Sequence, residues 1–244
     1  MLPTAPLLLD GVSAILPDGL AAVVTALQGT LARLPQTDVV VCLAAAAEGS
    51  QHGAYASGRA DLAGIGRSDL TATAVVHREA VSRITALVQY PLFGGEPLPL
   101  DLAVLVMQLQ GRTPVVPIVA MSVPATAGHD VLVGVGTGIV QALEEMGLSA
   151  VVIAPGDLSA GLTEQSPLHR VEGAWLWDEQ AVHAVDTGRL EGLGRLGPEE
   201  ARRVGARAWA PLVVLHGACA RGKVGMLVRH YSAPRGVGYL VALG

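Results

Sequence analysis

Val151–Leu162, VVIAPGDLSAGL, is the stretch from which the fold is read. Val151–Ala154 has the length and branching of a buried strand, and Pro155-Gly156 ends the run with a turn. In open α/β sheets, ligands sit in the crevice beyond the carboxyl ends of the strands. Gly156-Asp157-Leu158-Ser159 would bring backbone N–H groups and one carboxylate to such a crevice. By itself the motif favours a purely local role, since Asp is common at such turns: Gly156 supplies a turn dihedral and Asp157 caps the next segment by accepting a backbone N–H.

Working outward, hydrophobic periodicity divides the chain into alternating strands and helices. Thr4–Leu9 is a short apolar run stopped by Asp10-Gly11 and is expected to be a first strand. Leu20–Leu34 repeats apolar residues every three or four positions, which predicts a helix with Asp18 as its N-cap. Val39–Leu43, VVVCL, suits a strand covered on both faces. Strand, helix, strand in that order implies parallel pairing through a right-handed crossover. Ala44–Gly58 reads as a long small-residue connection, Thr71–Val76 as a strand, His77–Gln89 as a helix and Tyr90–Pro99 as a loop. Leu100–Gln110 reads as a buried helix, Val115–Met121 as a strand and His129–Met146 as a helix. Gly134, Gly136 and Gly138 in that last helix cost about 1 kcal/mol each against alanine, so they are expected to serve close backbone approach. Asp178–Asp186, Gly197–Ala208 and Pro211–Ala220 are expected to be helices. Val224–Tyr231 and Gly236–Leu243 then form a hairpin closed by Ser232–Arg235. The predicted fold is α/β: a single αβα three-layer domain over residues 1–244, with a mixed, largely parallel central sheet and a C-terminal β-hairpin at the edge.

Composition narrows the function. Lys plus Arg total 16 against 21 Asp plus Glu, a formal net charge of −5, and Lys223 is the only lysine. No basic stripe follows a phosphate backbone, which argues against nucleic acid. Hydrophobic residues reach 51%, yet no run of about 18 apolar residues escapes interruption, so no membrane span is expected. The opening MLPTAPLLLDG lacks a basic n-region, and a cytoplasmic location is the default expectation. Cys42 and Cys219 lie far apart inside apolar segments and read as buried thiols, with one bridge left open. Aromatics are only 3%, so Leu, Val and Ala must build the core, and surplus apolar surface would favour a homo-oligomer.

Six pieces carry a resemblance: Pro3-Thr4-Ala5-Pro6-Leu7-Leu8, Asp38–Leu43, Val115–Val123, Gly156-Asp157-Leu158-Ser159, Trp177-Asp178 and the closing Tyr231–Leu243, YSAPRGVGYLVAL. In this order they resemble the class III extradiol ring-cleavage dioxygenase family of the catalytic B-subunit type, with its Memo-like relatives, over nearly the whole chain. The resemblance implies an αβα domain. In active members it also implies a non-haem Fe(II) held by two histidines and an acidic or cysteine ligand, with positions open for substrate and O₂.

Residue by residue, most of that metal site is substituted. The histidine of the family's Pro-His-x-Pro falls on Thr4, and that of its Ser-Pro-His-Gly falls within Ala44–Ala47. The acid of Gly-Asp-Leu-Ser-His is kept as Asp157, the one candidate catalytic residue, while its histidine falls on Ala160. The cysteine that Memo-like members place before a late proline is absent from Gly205–Pro211, GARAWAP. The expectation is a degenerate, non-catalytic member without a cofactor. It would bind a small polar ligand in a pocket of Thr4, Gly156, Asp157, Leu158, Ser159 and Ala160, or serve as partner to an iron-bearing subunit. The alternative is an active Fe(II) or zinc enzyme, such as a catechol-type extradiol dioxygenase, with relocated ligands Glu48, His52 and Asp157. Glu48 and His52 are four apart, although Gly49 weakens a helix between them. His129 reads as a capping group, His216 as a core histidine three before Cys219, and His77, His169, His183 and His230 as scattered singles. Ser159 lacks the strained G-x-S-x-G elbow and a nearby histidine, which argues against a hydrolase.

Overall fold

Val39–Ala45 (β1) runs through the middle of the molecule and divides its core in two. A computed structural model describes residues 1–13, 16, 18–47, 49–111 and 114–244. Successive side chains of a strand point to opposite faces, so Val39, Val41 and Leu43 enter one apolar cluster while Val40, Cys42 and Ala44 enter another. Both faces are covered, and this is why the run is apolar without alternation.

The remaining elements are α1 (Leu20–Leu31), β2 (Gly53–Tyr55), β3 (Arg59–Leu62), β4 (Arg67–Thr73), α2 (Arg78–Val88), β5 (Leu92–Phe93), α3 (Leu100–Gln108), β6 (Ile118–Val123), α4 (His129–Glu145) and β7 (Ala150–Ile153). They are followed by α5 (Ala174–Asp186), α6 (Leu193–Leu196), α7 (Pro198–Val204), α8 (Trp209–Gly222), β8 (Leu227–Ser232) and β9 (Tyr239–Leu243). The central sheet has the order β5-β2-β6-β1-β7. β6 and β7 run parallel to β1, with Val40 opposite both Ile118 and Val151. β2 runs antiparallel to β6 and parallel to β5, so the sheet is mixed but mostly parallel. Helices α1 and α3 pack on the face of Val40 and Cys42, and α2, α4, α5 and α8 cover the other. β8 and β9 form the C-terminal hairpin.

The tightest helix crossing, α4 on α8, depends on glycine. A side chain at Gly136 would enter the carbonyl oxygen of Val214, and one at Gly217 would enter that of Val133. Gly138 faces the Val88 side chain, but Gly134 has nothing near it, so the expectation of close approach fails there. No described helix is long and apolar enough to cross a membrane.

Several expected elements differ. Thr4–Leu9 is not a strand: Pro6 has no N–H for a ladder and opens a 3₁₀ turn over Pro6–Leu8. Leu2 makes the pairing instead, in a single parallel bridge to Pro155. The expected crossover through α1 is therefore absent, and the parallel neighbours of β1 come later in the chain. Asp18 does not cap α1; Gly19 does, at φ +84° and with no side-chain bond. Ala44–Gly58 and Tyr90–Pro99 are not simple loops, since they contain β2 and β5. Both strands are too short to show a period, and Gly53 has no room for a side chain against the Pro91 carbonyl. Two further strands shift: the one expected at Thr71–Val76 lies at β4, and β3, its antiparallel partner, had no apolar signal.

Candidate functional site

The turn after β7 is built by close backbone packing. Gly156 passes between the first residues and β9: its N–H donates to the Leu2 carbonyl at 3.0 Å, and its carbonyl accepts from the Leu240 N–H at 2.8 Å. Any side chain there would enter the Leu240 carbonyl. Leu158 is buried in the core, and its N–H donates to the Gly238 carbonyl at 2.8 Å. Ser159 is fully buried. Its N–H donates to Asp178 Oδ1 at 2.9 Å and its hydroxyl to the Ala174 carbonyl at 3.4 Å. The Tyr231 hydroxyl donates to the other Asp178 oxygen at 2.7 Å. Burial pushes the Asp178 carboxyl up, against the bonds from Ser159 and Tyr231. Ala160 bonds through its backbone to Val204 and Leu168. Gly156, Leu158, Ser159 and Ala160 are thus the frame of the site, and Trp177-Asp178 is part of its anchor.

Asp157 is different, because its side chain is held by Thr4. Oδ2 accepts the Thr4 N–H at 2.6 Å and the Thr4 hydroxyl at 2.5 Å. Thr4 is buried and Asp157 half-buried. Desolvation pushes Asp157 up to about 6; the Thr4 donors oppose this, the Asp101 charge adds to it, and Arg207 opposes it. Asp101, in the first turn of α3, is buried and accepts from the Arg207 guanidinium at 2.7 Å. Burial also raises Asp101, against Arg207 and the Thr4 hydroxyl. Tyr239, bridged to Asp157 through the backbone, is pushed up to about 12 by burial and by the Asp157 charge. Thr4, Asp101, Asp157, Arg207 and Tyr239 therefore form one electrostatic cluster of two acids and one guanidinium. Asp101, Arg207 and Tyr239 were not read from the sequence, although a lone acid in the apolar helix LDLAVLVMQ is itself a request for a partner.

Arg207 connects this cluster to an open cleft of about 560 Å³ beyond the carboxyl ends of β1 and β6. Ala45–Ala47, His52, Pro124–Thr126, Arg202 and Trp209 also line it. The His52 ring stands edge-on to Tyr90, centroids 4.9 Å apart. Glu48 lies outside the described residues.

A family model described as the catalytic LigB subunit of aromatic ring-opening dioxygenase matches residues 97–242, which include the Asp157 turn, Arg207 and most of the final hairpin. The chain belongs to the LigB family. The crystal structure of an uncharacterized protein, JW3007, from Escherichia coli K12 is similar in fold, with TM-score 0.61 and 15% identity, covering 89% of this chain and 90% of that one. A comparison with curated proteins gives no match.

In the LigB fold this cleft and cluster occupy the crevice where α/β sheets place their ligands. The residues present do not fit the iron that the family implies. Asp157 Oδ2 already accepts both Thr4 donors, and a guanidinium already neutralises Asp101. Among the described residues, no group of three or more His, Cys, Asp or Glu converges to hold a metal ion. A lone carboxylate beside a guanidinium is a poor ligand set for Fe(II), which needs imidazole or further carboxylate donors.

Proposed function

We propose that this LigB-family chain is a non-catalytic binding protein whose cleft takes a small polar ligand, with Arg207 as the charged contact and the Asp101–Asp157 cluster behind it. The observation that supports the reading is the Arg207–Asp101 ion pair beside the Thr4-held Asp157. Arg207 supplies the positive charge that Asp101 and Asp157 would otherwise share with a cation. A carboxylate-bearing ligand suits the cleft, because the guanidinium fork has five donors and Asp101 occupies only part of it.

The test has two arms. Protein grown with iron and purified without chelator is assayed for iron and for oxygen uptake with catechol; neither stoichiometric iron nor ring cleavage is expected. Thermal shift with benzoate and malate as probes is expected to show a rise that Arg207→Ala removes. Iron retained by the wild type and lost in Asp157→Ala, together with catechol cleavage, overturns the reading.

A second reading is favoured by the place of His52 on the cleft wall. In it the chain is an Fe(II) or zinc enzyme with relocated ligands His52, Asp157 and Glu48. It requires His52→Ala to lose both metal and catechol cleavage, and full metal content in that variant ends it.

A further inference from the structure

His129 opens α4, His216 lies in the middle of α8, and the two rings face each other with centroids 5.5 Å apart. Each ring presents a buried nitrogen without a hydrogen-bond partner, Nε2 on His129 and Nδ1 on His216. Buried polar atoms are nearly always paired, so two orphans in one facing pair call for an explanation. The other nitrogen of His129, Nδ1, lies 3.0 Å from Asp130 Oδ1. A carboxylate in that place fixes the proton on Nδ1 and leaves the Nε2 lone pair free, the arrangement that orients metal-bound histidines. The His129 ring also lies flush on Gly194, where even a Cβ would approach to 3.0 Å, so the pair is clamped from the α6 side.

The spacing is that of two imidazoles sharing one ion. With Zn–N of about 2.0–2.1 Å and a tetrahedral angle, the two ring centroids come to roughly 5 Å apart. We propose that His129 Nε2 and His216 Nδ1 form a two-histidine site for a borderline divalent transition-metal ion such as Zn²⁺. Imidazole suits this class of ion, whereas Mg²⁺ and Ca²⁺ prefer oxygen. Desolvation, with the neighbouring His129, lowers His216, and Glu191 raises it. The site is separate from the LigB cleft: His216 lies two turns, about 10 Å, along α8 from Trp209 on the cleft wall.

Zn²⁺ titration of chelator-treated protein at pH 7.5 by calorimetry is expected to show one equivalent bound. His129→Ala and His216→Gln should each weaken it roughly tenfold or more, while His183→Ala, on the exposed face of α5, leaves it unchanged. A crystal soaked in Zn²⁺ provides a check that needs no variant: the anomalous peak should lie between Nε2 of His129 and Nδ1 of His216. Absence of that peak, loss of binding in His183→Ala, or undiminished binding in the His129→Ala, His216→Gln double variant overturns the proposal.

Discussion

Asp157→Asn is expected to stabilise the protein, and only at neutral and alkaline pH. Burial raises the Asp157 carboxyl from 3.8 to about 6. Between those two values the folded chain keeps a proton that the unfolded chain has lost. Stability therefore falls as pH rises through this window and stays low above it. A rise of about two pH units, at about 1.4 kcal/mol each, makes the ionised form cost about 3 kcal/mol. Asparagine stands in for the protonated acid at every pH: its amide oxygen still accepts from Thr4, and it carries no charge to desolvate. At pH 8 the variant should exceed the wild type by about 3 kcal/mol, which for a chain of this length is roughly 6–12 °C in Tm. Below pH 4 the two should melt together. Differential scanning calorimetry from pH 3.5 to 8 measures both curves, and taking the difference cancels the other raised acids, Asp101 and Asp178. A Tm difference that is constant with pH, or an asparagine variant less stable at pH 8, refutes the assignment of Asp157 as a desolvated carboxylate.

Three further outcomes follow from the same geometry. Tyr231→Phe removes one of the two side-chain and backbone donors on buried Asp178 and should cost about 1–3 kcal/mol by chemical denaturation. Gly136→Ala should destabilise by roughly 3 kcal/mol or more, because its methyl enters the Val214 carbonyl, while Gly134→Ala in open space should gain up to about 1 kcal/mol. Thr4→Val deletes the hydroxyl bond to Asp157, so carboxyl NMR titration should place that group above its present value of about 6.

The parts of the fold legible in the sequence were those whose signal is local. VVVCL at Val39–Leu43 states a strand buried on both sides, and that is its environment in β1. The apolar runs behind α2, α3 and α4 likewise fall within a few residues of the helices they form. The opening segment misled because apolar content was taken for a strand where Pro3 and Pro6 punctuate the chain. β2 and β5 were invisible because two or three residues carry no period. The site divides in the same way. Strand-turn grammar was enough to place Asp157 at the mouth of the sheet. Its partners were hidden: Thr4 is 153 positions away, and Asp101 and Arg207 are 106 apart. Ser159, read as a pocket residue, is instead consumed by backbone anchoring to Asp178.

Thr4, Asp101, Asp157 and Arg207 form a coherent electrostatic set. Without partners Asp157 would be a half-buried anion beside a second buried acid, and an uncompensated buried charge is among the costliest defects a fold can carry. Thr4 answers with two hydrogen bonds to Asp157. Arg207 answers with a guanidinium on Asp101. The compensation is incomplete, since Asp157 remains raised to about 6 with Asp101 among the causes. One guanidinium cannot fully balance two carboxylates.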